Sequence, residues 1–363
     1  MYKRTKSFAS HSIPALTLIM IGWLGSASAA IQDEIFGDNF EGFDHAACDT
    51  GLPSNSTDPL QYAAAMDLCQ TTTELGTAPG IIWGTFTLSS GTGTPAAQSH
   101  AIRSAFGSGN SPRFGSAMVV LSTGAAAATG QTNPSFAAFQ PGSNNGTSSA
   151  MPADWLTANS GTIPKPPACP PSSAITAYDP VMLTLRIRVP GNARSFSLAA
   201  NFFSSDYPEN VCGPYDDVFV ALLDSGFAGA PANPVDKNLA TYTGYLLGLD
   251  LAYANTGLFT QCINGAMGCV AGTPSTMYTC TSTSGLTGTG MDTAAPADSC
   301  GTSGGMVGGG TDWLMLRGNV IPGEIITLRF ALWDTGDGTY DSVVILDNFQ
   351  WSSQPVTTGT SRN

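Results

Sequence analysis

The sequence predicts a mostly β protein: an antiparallel, jelly-roll-like β-sandwich with one short N-terminal helix and long disulfide-stapled loops. Charged residues make up only 11% of the chain, against about 25% in typical soluble domains. Gly (42) and Pro (24) are abundant, which favours strands joined by turns. Short apolar runs bounded by such turn residues recur along the chain, and these runs are the predicted strands.

Two of the runs show the period of two that indicates a strand with one solvated face. From Val181 to Val189, apolar residues alternate with Thr184 and Arg186, and the run from Ile325 to Trp333 repeats this pattern. No helical pattern separates these strands, so we expect two antiparallel sheets packed face to face. The predicted strands are Ile81 to Leu88, Ala117 to Leu121, Val181 to Val189, Phe196 to Phe203, Val218 to Leu223, Ile325 to Trp333 and Ser342 to Trp351.

A single helix is predicted before the first strand. Asp58 is suited to cap it and Pro59 to occupy its first position, and the Ala-rich run from Leu60 to Cys69 forms its body. We therefore expect four segments along the chain: a signal peptide (1–29), an irregular segment (30–57), a β-sandwich domain (58–352) and a polar tail (353–363).

The N-terminus has the three parts of a secretory signal peptide. Basic residues including Lys3 and Arg4 precede an apolar run from Ile13 to Leu24, and small residues end at Ala29, after which we expect cleavage. Because a bilayer span needs about 20 residues, the run is too short to serve as a membrane anchor, and we expect no transmembrane anchor in the mature chain. The predicted location is secreted or cell surface.

The predicted mature chain is strongly acidic. Removing residues 1–29 takes away three of the 13 Lys and Arg residues and none of the 26 Asp and Glu residues, which leaves 10 − 26 = −16. Affinity for nucleic acid comes largely from basic side chains that neutralise phosphates. We therefore expect no nucleic-acid partner.

The cysteine pattern predicts disulfide bonds. All eight cysteines follow the predicted cleavage site, and an even number in an exported chain indicates up to four bonds. Many pairings are possible; proximity in the sequence favours Cys48–Cys69, Cys169–Cys212, Cys262–Cys269 and Cys280–Cys300. The paired C-x₂-C spacing of a structural zinc site does not occur.

Acidic residues concentrate in two loops and form a candidate calcium site. Asp334, Asp337 and Asp341 share one turn, in which Gly336 and Gly338 allow tight folding. Calcium takes about six to eight oxygen ligands, more than this turn supplies. The full set of predicted metal ligands is Asp206, Glu209, Asp216, Asp217, Asp334, Asp337, Asp341 and Asp347. The alternative is that these acidic turns only cap strands and face water.

The sequence contains no convincing catalytic constellation. Gly301 to Gly305 fits G-x-S-x-G, but a serine hydrolase needs a histidine base. His45 and His100, the histidines of the mature chain, lie in no protease-like context, and we interpret both as structural. Glu209 and Asp217 are the first carboxylates to consider for glycoside hydrolysis, whose geometry the sequence does not reveal.

Aromatic residues accompany the acidic segments. Such rings can stack on sugars or bury a large apolar area in the core, and we favour the core. The residues concerned are Tyr207, Tyr215, Trp333, Tyr340 and Trp351.

Four segments carry a family resemblance: Ser99 to Gly107, Gly115 to Gly124, Phe202 to Leu222 and Leu328 to Trp351. With the motifs S-x-D-Y-P-E and D-x-G-D-x-x-Y-D-S, the chain resembles the choice-of-anchor L family of exported bacterial surface proteins. The resemblance covers residues 60–351, so the predicted domain 58–352 is choice-of-anchor L-like. It implies no activity, because the family has none generally established. Residues 352–363 lack a sorting tail, so release or non-covalent surface association is expected.

These observations predict an exported extracellular or cell-surface module with a binding or structural role, adhesive or matrix-associated and stabilised by calcium. Its expected partner is an extracellular glycan or matrix. The alternative is a secreted hydrolase acting on polysaccharide or protein. The sequence favours the non-enzymatic role.

Overall fold

The computed structural model describes residues 47–126, 144–172, 174–269, 275–292, 300 and 308–362. All of them belong to one compact unit, Asp33–Asn363. The predicted signal peptide, His45 and the run from Gly301 to Gly305 lie outside the described residues. Within the described residues, no helix is long and apolar enough to cross a membrane.

The described chain forms two large antiparallel sheets. Sheet A contains β1 (Gly80–Thr87), β4 (Ser148–Ala150), β5 (Thr176–Arg188), β7 (Val218–Asp224), β8 (Thr241–Tyr242), β9 (Tyr245–Gly248) and β14 (Ile325–Asp334). Sheet B contains β2 (His100–Arg103), β3 (Met118–Ser122), β6 (Ser195–Ser204), β12 (Gly309–Gly310), β13 (Leu314–Asn319), β15 (Ser342–Ser352) and β16 (Gly359–Arg362). A separate hairpin pairs β10 (Gly265–Met267) with β11 (Thr276–Tyr278).

The two sheets pack face to face, which confirms the predicted sandwich. The strand order is β1-β5-β14-β7-β9-β8 in sheet A and β16-β13-β6-β15-β3-β2 in sheet B, and β4 and β12 pair with β5 and β6. Leu183 and Leu185 of β5 share one buried core with Leu198 and Phe202 of β6. The chain crosses between the sheets from β5 to β6 to β7, and again from β13 to β14 to β15.

Two helices flank the sandwich. The predicted one is α1 (Pro59–Ala65), capped by the Asp58 carboxylate, which accepts a hydrogen bond from Leu60 N at 2.9 Å. It ends before the predicted limit of Cys69, because Asp67 adopts a left-handed backbone conformation with φ 71°. The second, α2 (Ala153–Ala158), was not predicted, because six residues are too few to show a helical period. Its Trp155 packs against Trp333, with the ring centroids 5.5 Å apart.

The predicted polar tail includes a strand. Residues Gly359–Arg362 form β16, which pairs with β13 at the edge of sheet B. Its sequence, Gly-Thr-Ser-Arg, has no apolar alternation, so only backbone hydrogen bonds reveal it. The sandwich therefore extends beyond the predicted boundary at residue 352.

The structure contains four disulfides, two of them as predicted: Cys48–Cys69 and Cys169–Cys212. The other two predicted pairs are wrong, because the bonds are Cys262–Cys280 and Cys269–Cys300. The hairpin explains the first of these. Its antiparallel register pairs Gly265 with Tyr278, so the residues flanking the two strands, Cys262 and Cys280, come together. Strand register, not sequence distance, decides this pairing.

His100 is a structural residue, as predicted. Its Nδ1 lies 2.7 Å from the Tyr62 hydroxyl, which donates its own hydrogen to Ser56 O at 2.8 Å. Nδ1–H of His100 is therefore the donor in this contact. The imidazole also stacks on Phe86 with ring centroids 3.9 Å apart. Burial lowers the pKa of His100 to about 4.

This geometry predicts a loss of stability in acid that is specific to His100. The unfolded chain takes up a proton below about pH 6.5 and the folded protein only below about pH 4, so lowering the pH favours unfolding. Relative to the His100→Asn variant, the wild type should lose about 3 kcal/mol of unfolding free energy between pH 7 and pH 4. Urea unfolding at several pH values measures this difference. Parallel pH profiles of the two proteins would contradict it.

Candidate metal centre

The acidic segments meet at one end of the sandwich, where four strand ends lie side by side. Ser204 of β6 pairs with Ser342 of β15, and Trp333 of β14 pairs with Val218 of β7. The loop 205–217 joins β6 to β7, and the loop 335–341 joins β14 to β15. Both loops cross from one sheet to the other, so the topology brings them together.

Four predicted ligands lie in this region and influence one another electrostatically; we call them the aspartate centre, defined as Asp206, Asp217, Asp334 and Asp341. Their exposed fractions are 2%, 0%, 1% and 0%. The charge of Asp217 raises the pKa of both Asp206 and Asp334, and the charge of Asp341 raises that of Asp217 and Asp334. Side chains that influence each other in this way belong to one electrostatic site.

Short hydrogen bonds hold the backbone and side chains of the aspartate centre. Ser342 Oγ donates to Asp217 Oδ2 at 2.5 Å. Ser205 donates from both its backbone N and its hydroxyl to the backbone carbonyl of Asp341, at 3.1 and 2.7 Å, which links the two loops directly. Asn210 donates to Asp206 Oδ1. The bonds from Ser205 thus link the two loops directly.

Burial dominates the electrostatics of the aspartate centre. Desolvation raises the pKa of Asp217 to about 8 and those of Asp206 and Asp334 well above the ordinary value. No Lys or Arg among the described residues forms an ion pair with any of these three. These three acids therefore have no Lys or Arg counter-charge among the described residues, and burial favours their protonated form.

Asp334 is the least satisfied member of the aspartate centre. The Thr123 hydroxyl opposes the increase in its pKa. However, neither carboxylate oxygen of Asp334 accepts a hydrogen bond of ordinary geometry from any described residue. Leaving a buried polar group without partners is costly. Both oxygen atoms of this carboxylate could therefore coordinate a cation.

The backbone after β3 of sheet B lies close against the aspartate centre. A Cβ atom on Gly124, just after β3, would overlap the Asp341 carboxylate. Only glycine fits at this position without displacing the acid. The family-like segment from Gly115 to Gly124 thus ends against the aspartate centre.

The other four predicted ligands lie outside this group, although the charges of Asp216 and Asp337 act on Asp217 and Asp206. Asp216 faces Lys165, with Oδ2 at 3.5 Å from Nζ. Glu209 and Asp337 lie at the border of the centre. Burial, followed by the charges of Asp206, Glu209 and Asp337, raises the pKa of the Tyr340 hydroxyl. Asp337 itself is exposed.

Asp347 is remote from the aspartate centre. It lies five residues along β15 from Ser342, or about 17 Å. There Asp347 Oδ2 accepts hydrogen bonds from the backbone N–H groups of Arg113 and Phe114. Asp347 is therefore an acceptor that fixes the loop before β3, and the structure does not bring it to the predicted site.

The described carboxylates do not form a complete coordination sphere. No three Asp, Glu, His or Cys side chains of the described residues converge as ready-made metal ligands. The aspartate centre is thus a cluster of coupled acids, to which a cation would have to draw further oxygen atoms. Loop carbonyls, water and the bordering acids are the available sources.

A second feature, the Trp313 groove, was not predicted. It is an open groove of about 250 Å³, and its lining includes Gln261, Thr281, Asp312, Trp313 and Arg362. Backbone bridges from Gln261 to Ser282 and Gly310 fix its floor, and so does the bond between Cys262 and Cys280. Sequence reasoning missed it because its lining comes from four separated segments, and Trp313 lies outside the family-like motifs.

Neighbouring contacts hold several polar groups of the Trp313 groove. Gln261 Oε1 accepts a hydrogen bond from Gly285 N at 3.0 Å. Asp312 holds a left-handed conformation with φ 70° and is exposed beside Trp313. Arg113 lies over the Trp313 ring, 5.9 Å from its centroid, which fixes the ring.

Comparison with known proteins adds no relative: no family model, no curated protein and no solved structure matches the chain. The resemblance to the choice-of-anchor L family therefore stays a prediction.

The raised pKa of Asp217 predicts that the aspartate centre costs stability as it ionises. The folded protein binds this proton up to about pH 8 and the unfolded chain only below about pH 4, so stability falls as the pH rises between these values. Without divalent cations, Asp217→Asn should lose less stability than the wild type between pH 5 and pH 8, by a few kcal/mol. Urea unfolding in EDTA tests this. Equal losses in both proteins would show that Asp217 is not a desolvated acid.

Proposed function

We propose that the protein is an exported extracellular or cell-surface module with a binding or structural role, and that its aspartate centre binds a calcium ion. The observation that carries the calcium proposal is the buried Asp334 carboxylate, which lacks hydrogen bonds of ordinary geometry from the described residues. Two coupled acids, Asp206 and Asp217, lie beside it without a described basic partner. A divalent cation would remove the repulsion that burial makes severe.

Calcium suits this chemistry better than the other common metals. The cluster offers only oxygen atoms, which are the ligands of calcium and magnesium, and no His or Cys belongs to it. Calcium tolerates irregular ligand sets with carbonyl and water oxygens, whereas magnesium demands near-ideal octahedral geometry. An ion bound here would tie the loops 205–217 and 335–341 to each other. It would thereby stabilise the end of the sandwich.

Export is supported by the four disulfides, since such bonds persist in oxidising compartments outside the cytoplasm. The predicted signal peptide and the resemblance to surface proteins point the same way. Secretion or attachment to the cell surface is accordingly the location that we propose.

For the binding role, we propose the Trp313 groove as the contact site and an extracellular glycan as the partner. A sugar can place its apolar face on an indole ring and its hydroxyls on amide, carboxylate and guanidinium groups. Trp313, Gln261, Asp312 and Arg362 supply this set within one open groove. The disulfide and backbone bridges below it hold these groups before the ligand arrives, which reduces the entropy cost of binding.

The alternative of a secreted hydrolase gains no support from the described residues. Asp217 is fully buried and Glu209 is 9% exposed. Neither carboxylate can reach a glycosidic bond in this conformation. We therefore retain the non-enzymatic role.

The calcium proposal predicts metal-dependent stability. Binding to the folded state alone stabilises by about 2.7 kcal/mol at roughly a hundredfold excess over Kd. Calcium should therefore raise the wild-type Tm by several degrees over EDTA at matched ionic strength, and Asp334→Asn should remove the response. Asp58→Asn is the matched control, because it deletes one exposed carboxylate and Asn caps a helix equally well.

Differential scanning fluorimetry in EDTA, calcium and magnesium checks this expectation. A wild-type Tm that calcium leaves unchanged would overturn the calcium proposal. A calcium response that persists in Asp334→Asn and is lost in another acidic variant would place the ion elsewhere.

The glycan proposal predicts a loss of retention in Trp313→Ala. Removing a central aromatic contact should weaken binding to an immobilised glycan by at least about tenfold. Trp83→Ala is the control, because Trp83 is 43% exposed on β1, in the other sheet. Glycan-array and pull-down measurements check both variants, with Tm as the test of folding. Equal retention by the two variants would exclude the Trp313 groove.

A further inference from the structure

A second charged cluster, the Lys165 triad, is defined by Lys165, Asp216 and Asp250. Lys165 Nζ lies 3.0 Å from Asp250 Oδ2 and 3.5 Å from Asp216 Oδ2. The three side chains are only 4%, 7% and 3% exposed, in the order Lys165, Asp250 and Asp216. An amine is thus held in contact with a carboxyl group, away from water.

The acid–base properties of the triad allow the Lys165 amine to react with the Asp250 carboxyl group. Desolvation and then the charge of Asp216 raise the pKa of Asp250 to about 7, so a large share of this carboxyl is protonated at neutral pH. Burial lowers the pKa of Lys165, but the charges of Asp216 and Asp250 more than offset this and raise it. A triad of one ammonium, one carboxylate and one carboxylic acid has no net charge. Moving one proton from Lys165 to Asp216 makes all three neutral, which a desolvated site tolerates.

The carboxyl group of Asp250 is also positioned for nucleophilic attack at its Cγ atom. Its Oδ1 receives a hydrogen bond from the backbone N–H of Cys212 at 2.5 Å, where a donor stabilises negative charge that develops on oxygen. The backbone N–H of Asp250 donates to Asp216 Oδ1 at 3.3 Å, which keeps Asp216 beside the reacting pair. The disulfide between Cys169 and Cys212 fixes the segments that carry Lys165 and this donor.

We propose that Lys165 and Asp250 join in an intramolecular isopeptide bond, with Asp216 transferring the protons. The Lys165 ammonium gives one proton to the Asp216 carboxylate, and its Nζ attacks Cγ of the protonated Asp250 carboxyl. The oxyanion forms on Oδ1, at the Cys212 N–H. Asp216 then donates its proton to the departing hydroxyl and takes one from Nζ. The C–O bond breaks, one water leaves, and Asp216 stays protonated; no oxidant or cofactor is consumed.

Such a bond would add a redox-independent cross-link to a domain otherwise closed by disulfides. It would connect the segment after α2 to the residues after β9, and thereby enclose the five strands β5 to β9 in one covalent loop. Closing a long loop restricts the unfolded chain and resists mechanical extension. This property suits a structural module at a cell surface and does not depend on the calcium or glycan proposals.

Mass spectrometry of the exported, disulfide-bonded protein tests the proposal. After reduction, alkylation and denaturation, the wild-type mass should be lower than the sequence mass by one water molecule. Tandem spectra should show a branched peptide joining Lys165 to Asp250. Lys165→Arg, which keeps the charge but not the nucleophile, and Asp216→Asn should both restore the full mass. Lys237→Arg, in an exposed ion-pair network, should keep the loss.

A full wild-type mass, with all four disulfides found before reduction, would overturn the proposal. Loss of water that maps to an unbranched peptide, such as a cyclised Asp337–Gly338 step, would overturn it as well. The decisive reading is made on the wild type, so it holds even if the variants of Lys165 and Asp216 fail to fold.

Discussion

The convergence of buried carboxylates at one end of the sandwich is the constraint on which the rest of the structure depends. Asp334 ends β14, Asp217 precedes β7 and Asp341 precedes β15. Strand register, set by the apolar core, therefore fixes where these acids lie. Like charges in a low-dielectric interior repel strongly, so the fold must neutralise them with protons or a cation. Core packing and ionic chemistry are thus coupled through the two crossing loops.

The buried acids of the molecule have three different kinds of surroundings. Asp216 and Asp250 have the ammonium of Lys165. Asp49, like Asp347, receives backbone N–H groups, in its case from Ser116 and Ala117 at 2.5 and 2.6 Å. Asp334 has neither type of partner among the described residues. The same side chain can therefore be a salt-bridge partner, a loop anchor or a candidate ligand, and only its surroundings distinguish the roles.

Period-two alternation and turn residues were enough to predict the main strands, because one buried face leaves a direct trace in the sequence. The segments containing Asp206 and Asp334 could be predicted as partners because each carries a family-like motif and is rich in acidic residues. The sequence could not show that Asp347 lies outside the site. It follows the same acidic segment in the chain, but it lies on a different part of β15. The short strand β16 and the Trp313 groove depend on contacts between distant segments, for which a single sequence carries no periodic signal.

Rigid scaffolding explains why so much chemistry lies in loops. Around the Trp313 groove, small residues bury little apolar area, so the hairpin and its disulfide supply order that a core would otherwise provide. Around the aspartate centre, hydrogen bonds from Ser205 and Ser342 do the same. In both places covalent or polar restraints hold side chains that the sandwich alone would leave free to move. Groups held in this way lose little entropy when a ligand arrives, so the low apolar content of these loops is compatible with selective binding.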